Sequence, residues 1–128
     1  MKRDPVLRAA SVVAIAFGLL TIFSGGRALF GDAETRAAVG NAVGFVLWFN
    51  FLAGFVYVLV GTAMWRGLRW VAWAASLLAL TTALVAGVFG FHIWTGGAYE
   101  IRTVGALAIR FAFWTALAVM ARYRLKAI

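Results

Sequence analysis

Cysteine is absent from the chain, proline and histidine each occur once, and only four residues are acidic. Without cysteine the chain has no disulfide, no thiol redox chemistry and no thiolate metal site. His92 and a few scattered carboxylates are too few for a metal ligand set. A bis-histidine haem would need the histidine of a second subunit. Met64 and Met120 both fall near the opposite end of their spans from His92, so neither suits it as an axial partner. No metal is therefore expected, and haem is disfavoured. Ser24 and Ser76 have no base visibly placed near them, which argues against a nucleophilic triad and against an enzyme.

Charge is also missing from long stretches. The composition is 65% hydrophobic and 12% charged, with a mean hydropathy of +0.96, more apolar surface than a soluble domain of this size needs. From Asn41 to Trp65 the sequence NAVGFVLWFNFLAGFVYVLVGTAMW contains no charged residue. As a helix it is roughly 37 Å long, enough to cross a hydrocarbon core of about 30 Å with some tilt. Three further apolar segments accompany it, so the expected spans are 6–23, 41–65, 70–94 and 104–121 of a single membrane domain, residues 1–128.

Lys2 and Arg3 resemble the start of a signal peptide. The apolar run from Val6 to Phe23 is longer than the usual signal core, however, and no A-x-A site follows, so it reads as a retained span. Pro5 suits a first helical turn, and Arg8 can lean back to the headgroups. The longest connection, 24–40, carries Gly25, Gly26, Asp32 and Glu34, and Asp32 is placed to cap a short interfacial helix through Val39. The turn Arg66-Gly67-Leu68-Arg69 is too short for anything but an antiparallel hairpin, and Trp65 and Trp70 flank it as an interfacial belt.

Lys and Arg are unevenly shared between the two ends. Lys2, Arg3, Arg8, Arg66, Arg69, Arg122, Arg124 and Lys126 gather on one side, Arg27, Arg36 and Arg102 on the other, and Arg110 lies within a span. The positive-inside rule then places the 66–69 turn and both termini in the cytoplasm. The expected fold is all-α, an integral membrane bundle of four transmembrane helices in the cytoplasmic (inner) membrane. The net charge of +8 sits at span ends, where it meets lipid headgroups, and nucleic acid is not an expected partner.

Candidate functional residues come from polar groups in apolar surroundings. Asn50, Gly54, Tyr57 and Gly61 share one narrow stripe of the second span. Helices associate in lipid through small residues and polar contacts, so this stripe is expected to face inward, either as packing or as the wall of a cavity. Thr81, Val85, Val88 and His92 repeat the spacing in the third span. Around the outer turn lie His92, Trp94, Tyr99, Glu100 and Arg102. Arg110 sits roughly 9 Å below the expected start of the fourth span. An intramembrane arginine is costly and marks a candidate site. Glu100 is its expected partner, and a cation–π contact with Trp114 one turn on is sterically available.

The stretch FGLLTIFSGGRALFG resembles the glycine–basic–apolar exit of the first span in DoxX-like and MauE-like membrane proteins. NFLAGFVYVLVG followed by WRGLRWVAWAASLLAL is similar to their second span, basic turn and third span, so that the resemblance covers residues 10–92. It implies a compact four-helix membrane subunit, and some relatives are associated with quinone-linked redox systems and work with other subunits. The acidic residue often found in the second span of that group is absent here, and Asn50 or Tyr57 is the nearest polar group. The threonine- and serine-rich phenylalanine motif of four-span fluoride channels is missing.

The expected function is a non-catalytic membrane subunit that binds a quinone- or lipid-like amphiphile near the outer leaflet. His92, Tyr99, Glu100 and Arg110 supply polar contacts, Trp114 packs beside Arg110, and Asn50 and Tyr57 line the deeper wall. The alternatives are an assembly partner of another membrane protein, or a homo-oligomeric channel in which Asn50, Thr81 and Thr82 face a pore.

Overall fold

The computed structural model describes residues 5–31, 34 and 44–126. Four helices account for nearly all of them: α1 (Pro5–Phe30), α2 (Gly44–Trp65), α3 (Val71–Trp94) and α4 (Ile101–Lys126). Each is long and apolar enough to cross a membrane, and no strand occurs among the described residues. The chain thus has the make-up of a multi-pass membrane protein. The expected short helix from Asp32 to Val39 lies outside the described residues, apart from the exposed Glu34.

Two of the expected spans are shorter than the helices that form. α1 continues seven residues past Phe23 to Phe30, through Gly25 and Gly26. Glycine normally weakens a helix, but here Gly25 lies against the Cα and Cβ of Phe51 in α2, so tertiary contact offsets the propensity. α4 begins at Ile101 rather than Val104, which moves Arg110 nine residues into its helix.

α1 and α2 form the tightest pair. Leu7, Ser11, Ala14, Gly18, Thr21 and Gly25 are the buried residues of α1. Their alternating spacing of four and three is the seam of a left-handed helix pair. On α2 the expected stripe does turn inward: Gly54, Tyr57 and Gly61 are buried and Asn50 is half-buried. A Cβ at Gly18 would sit 2.7 Å from the Gly54 carbonyl oxygen, and one at Gly61 would sit 3.1 Å from that of Ser11. Backbones this close gain dispersion contacts that no larger residue permits, the main source of helix association where lipid is as apolar as leucine.

Both described turns close with the same device. Gly67 has φ of 71° and Gly96 of 89°. Leu68 N–H donates to Ala63 O and Gly67 N–H to Met64 O; Gly97 N–H donates to His92 O and Gly96 N–H to Ile93 O. These are paired hydrogen bonds of Schellman type, and the left-handed residue in each is glycine because a Cβ is disfavoured there. Through the first turn the basic ends of the helices come together. Arg8 lies over the Trp65 ring at 4.7 Å, and Arg122 donates to Ser76 Oγ at 2.9 Å. Trp65, Trp70 and Trp73 are exposed around that end, and Trp94 at the other, as interfacial belts require.

On α3 the spaced set Thr81, Val85, Val88 and His92 does not mark the buried face. Thr81 and Val88 are exposed, and Ala75, Leu78, Thr82 and Phe89 are buried instead. The helix is turned by about one residue, roughly 100°. α3 is apolar on every side, so its sequence carries no contrast to set its rotation; the small residues Ala75 and Ala79, packed in the core, set it instead.

Gly18→Leu or Gly61→Leu is expected to destabilise the bundle by about 2–4 kcal/mol, since backbone must move to admit the side chain. Gly87 and Gly105 have open space where a Cβ would go. Alanine at either should be neutral or stabilising by up to about 1 kcal/mol. Thermal unfolding of the four variants in one detergent checks the contrast, and equal losses at all four sites would refute the packing account.

Candidate functional site

The wide side of the bundle lies between α1 and α4, whose backbones scarcely touch. Large side chains bridge the gap. Phe17 of α1 stacks on Tyr57 of α2 at 5.5 Å and meets Phe113 of α4 edge-on at 5.2 Å. Trp114 of α4 lies 4.9 Å from Tyr57 and 5.2 Å from Phe113. Tyr57 and Trp114 are wholly buried, each at 0% exposure. Both sit near the middle of their helices, so this aromatic cluster fills the centre of the bundle.

Arg110 enters the cluster from the side of the α3–α4 turn. It is half-buried, with its guanidinium 5.2 Å from the Phe17 ring centroid. Its Nη2 donates to Thr21 Oγ1 at 3.2 Å and its Nη1 to Ala106 O at 3.3 Å. The first of these bonds ties α4 to α1 across the seam. Both acceptors are neutral. Among the described residues no carboxylate pairs with Arg110, and none of the four helices contains an aspartate or glutamate.

Several buried polar atoms here have no hydrogen-bond partner: Arg110 Nε, Tyr57 Oη and Trp114 Nε1. Arg110, Trp114 and Thr82 surround the Tyr57 hydroxyl, but the geometry closes no bond to it. Thr82 spends its proton on Leu78 O at 2.7 Å. An unsatisfied buried donor costs on the order of 1–3 kcal/mol, and a charged side chain within a span at least about 3 kcal/mol more. Thr115 Oγ1 and Asn50 Oδ1 are likewise unpartnered, with Asn50 two turns outward from Tyr57 on α2.

The turn between α3 and α4 is a different environment, because its polar groups serve the turn itself. His92 Nε2–H donates to the Ala98 carbonyl at 2.9 Å. A Cβ on Gly97 would fall on the His92 ring, so only glycine lets the chain pass so near it. Phe89 stacks on His92 at 6.3 Å and meets Tyr99 edge-on at 6.2 Å. Glu100 lies 3.6 Å from Arg102, and this partner replaces the expected one, Arg110. The cation–π contact of Arg110 forms with Phe17 rather than with Trp114.

The seven candidate residues therefore divide. Tyr57, Arg110 and Trp114 come together in the centre, with Asn50 farther out on the same face of α2. His92, Tyr99 and Glu100 close the α3–α4 turn. Phe17 and Thr21, which complete the central site, escaped the sequence reading; the small-residue heptad from Ser11 to Gly25 was the signal that could have placed α1 there.

No family model, curated protein or solved structure matches the chain. The site is therefore read from its chemistry. It offers one fixed positive charge, one indole donor and one hydroxyl able to donate or accept, walled by aromatic rings. Among the described residues no carboxylate pairs with these groups.

Tyr57→Phe removes an unpartnered hydroxyl and keeps the stacked ring. The ligand-free variant is expected to be as stable as the parent or more stable by about 1 kcal/mol. A loss of that size in equilibrium unfolding would show that the hydroxyl is satisfied in the folded protein.

Proposed function

We propose that the protein is a non-catalytic subunit of the cytoplasmic (inner) membrane that binds the polar end of a quinone- or lipid-like amphiphile between α1 and α4. The observation that carries this reading is Arg110, a half-buried cation beside unpartnered donors in helices without a single acid. An intramembrane ionisable group faces the bundle interior or a cavity rather than lipid and marks a candidate functional site. The bound headgroup would lie below the outer turn, and His92, Tyr99 and Glu100 would frame it rather than touch it. Trp114 and Tyr57 fill the centre of the bundle, which favours a bound headgroup over a water-filled path through one bundle.

Orientation follows from the same proposal. The basic end, with Arg8, Arg66, Arg69 and Arg122, faces the cytoplasm, and the turn at Gly96 faces outward. The resemblance to DoxX-like and MauE-like proteins is in keeping with a four-helix subunit that works beside others. It adds no ligand residue of its own.

A second reading, docking against another membrane protein, draws on the outer half of the α3–α4 face. An apolar groove of about 410 Å³ runs there, lined by Ala83, Ala86, Phe89, Gly90, Leu107 and Phe111 among others. Gly90 and Gly105 meet nothing within 4 Å. Such a surface suits a lipid chain or a partner helix.

Arg110→Leu is expected to abolish retention of the ligand through gentle extraction, with the bundle still folded by circular dichroism. Native mass spectrometry of both proteins reads this directly, and unchanged co-purification in the variant would sink the proposal. Because the chain has no cysteine, single cysteines at Leu68 and Ala98 report topology without background. An impermeant maleimide applied to intact cells should label the Ala98→Cys protein and leave Leu68→Cys unlabelled until the membrane is opened. The reverse pattern would invert the orientation.

A further inference from the structure

We infer that the ligand's polar end is a singly charged oxyanion, a carboxylate or a phosphodiester, rather than a neutral carbonyl. This rests on the amphiphile reading of the Arg110 site and narrows it to a chemical class.

Charge is the first argument. Arg110 stays protonated in a protein, and its two bonded nitrogens meet a hydroxyl and a backbone carbonyl, both neutral. The helices hold no acid to balance it. A quinone carbonyl or an amide would satisfy a free N–H and leave the positive charge uncompensated in a low-dielectric bundle. A monoanion does both, and a dianion would replace one surplus charge with another.

Donor type is the second argument. Trp114 Nε1 and Arg110 Nε are donors only, and both are buried without an acceptor. Tyr57 Oη, unpartnered beside them, carries a third proton to give. Two groups that can only donate, beside a hydroxyl that can donate as well as accept, suit an oxyanion, whose oxygens accept several bonds at once. Charge-assisted bonds of this type are about twice as strong as neutral ones.

Access is the third. Arg110 is half-buried rather than enclosed, and it lies on the wide α1–α4 seam, which Phe17 and Phe113 line. A headgroup can reach it sideways from the bilayer while the acyl chains remain in lipid. The same chemistry is met by a lipid or fatty-acid anion and by a free inorganic anion, so the experiment separates them.

The test uses the full-length protein in detergent and native mass spectrometry, with charge-matched probes. Oleate is compared with oleamide, and dioleoylphosphatidylglycerol with dioleoylglycerol. Chloride and phosphate are tested separately, by the shift each causes in thermal unfolding. The expected result is at least about tenfold tighter binding of the anionic member of each pair, lost in Arg110→Gln and partly kept in Arg110→Lys. Trp114→Phe, which keeps a ring and removes the N–H, should weaken oleate several-fold, and it serves as the test if Arg110→Gln does not fold. Equal binding of oleamide and oleate would overturn the anion inference and leave the amphiphile reading standing. Stabilisation by phosphate but not chloride, with no amphiphile bound, would overturn the amphiphile reading and leave the oxyanion inference standing, whereas equal stabilisation by chloride would overturn the oxyanion inference as well. Amphiphile binding that is insensitive to Arg110 and Trp114 would overturn both.

Discussion

The close approach of α1 to α2 is the constraint on which the other packing depends. Gly18 and Gly54 bring the two backbones together so tightly that Tyr57 Cβ would lie 3.0 Å from a Cβ on Gly18. With no room between the helices, the Tyr57 and Phe17 rings project toward the centre, where they stack on each other. The same contact draws α1 toward α2 and away from α4. A gap opens on that side, and it is bridged by side chains: Phe113, Trp114 and Arg110. Small residues on one seam thus create the need for large residues on the next, and the polar cluster occupies the space that results.

That arrangement explains why a cation is tolerated there. The Arg110 side chain reaches Thr21 across the gap and rests on the face of Phe17, two contacts available only where the helices stand apart. In lipid, bonds between helices are worth little more than in water, because an unfolded span also finds partners. The Arg110–Thr21 bond therefore cannot repay the burial of a charge. The partnerless Nε of Arg110 and Nε1 of Trp114 add to the deficit. A bundle held together by the α1–α2 seam can carry this cost.

The sequence makes the number of spans legible, because uncharged length is a direct consequence of the bilayer. It also makes the inner stripe of α2 legible, since Gly54, Tyr57 and Gly61 contrast with the bulky residues around them. Rotation of α3 was not legible. Thr81 and Thr82 are adjacent and chemically equal, and only contact decides which is buried. The partner of Arg110 was not legible either, for a related reason. Glu100 is close in sequence and opposite in charge, but Arg102 is closer to it. Thr21 sits 89 positions away from Arg110 in the chain, and nothing local marks it. His92, Tyr99 and Glu100 are near Arg110 in the sequence, but their contacts hold the α3–α4 turn shut.

Lipid reverses the usual meaning of exposure, and this bears on how the two halves of the bundle differ. Leu20, Phe23, Leu59 and Phe91 are more than 60% exposed, which in water would be a liability and in a bilayer is the ordinary outer surface. What stands out instead is small size on that surface. Gly18, Gly25, Gly54 and Gly61 in the interior of α1 and α2 are matched by close contact with the other helix, whereas Gly44 at the start of α2 and Gly87, Gly90 and Gly105 of α3 and α4 meet nothing. Inside a helix a glycine sacrifices up to about 1 kcal/mol relative to alanine, and at Gly87, Gly90 and Gly105 no contact offsets it. Arg110 and Trp114 belong to the α3–α4 pair, and Tyr57 and Phe17 to the closely seamed one. The unsatisfied donors therefore lie where the pair joined by close backbone contact meets the other pair.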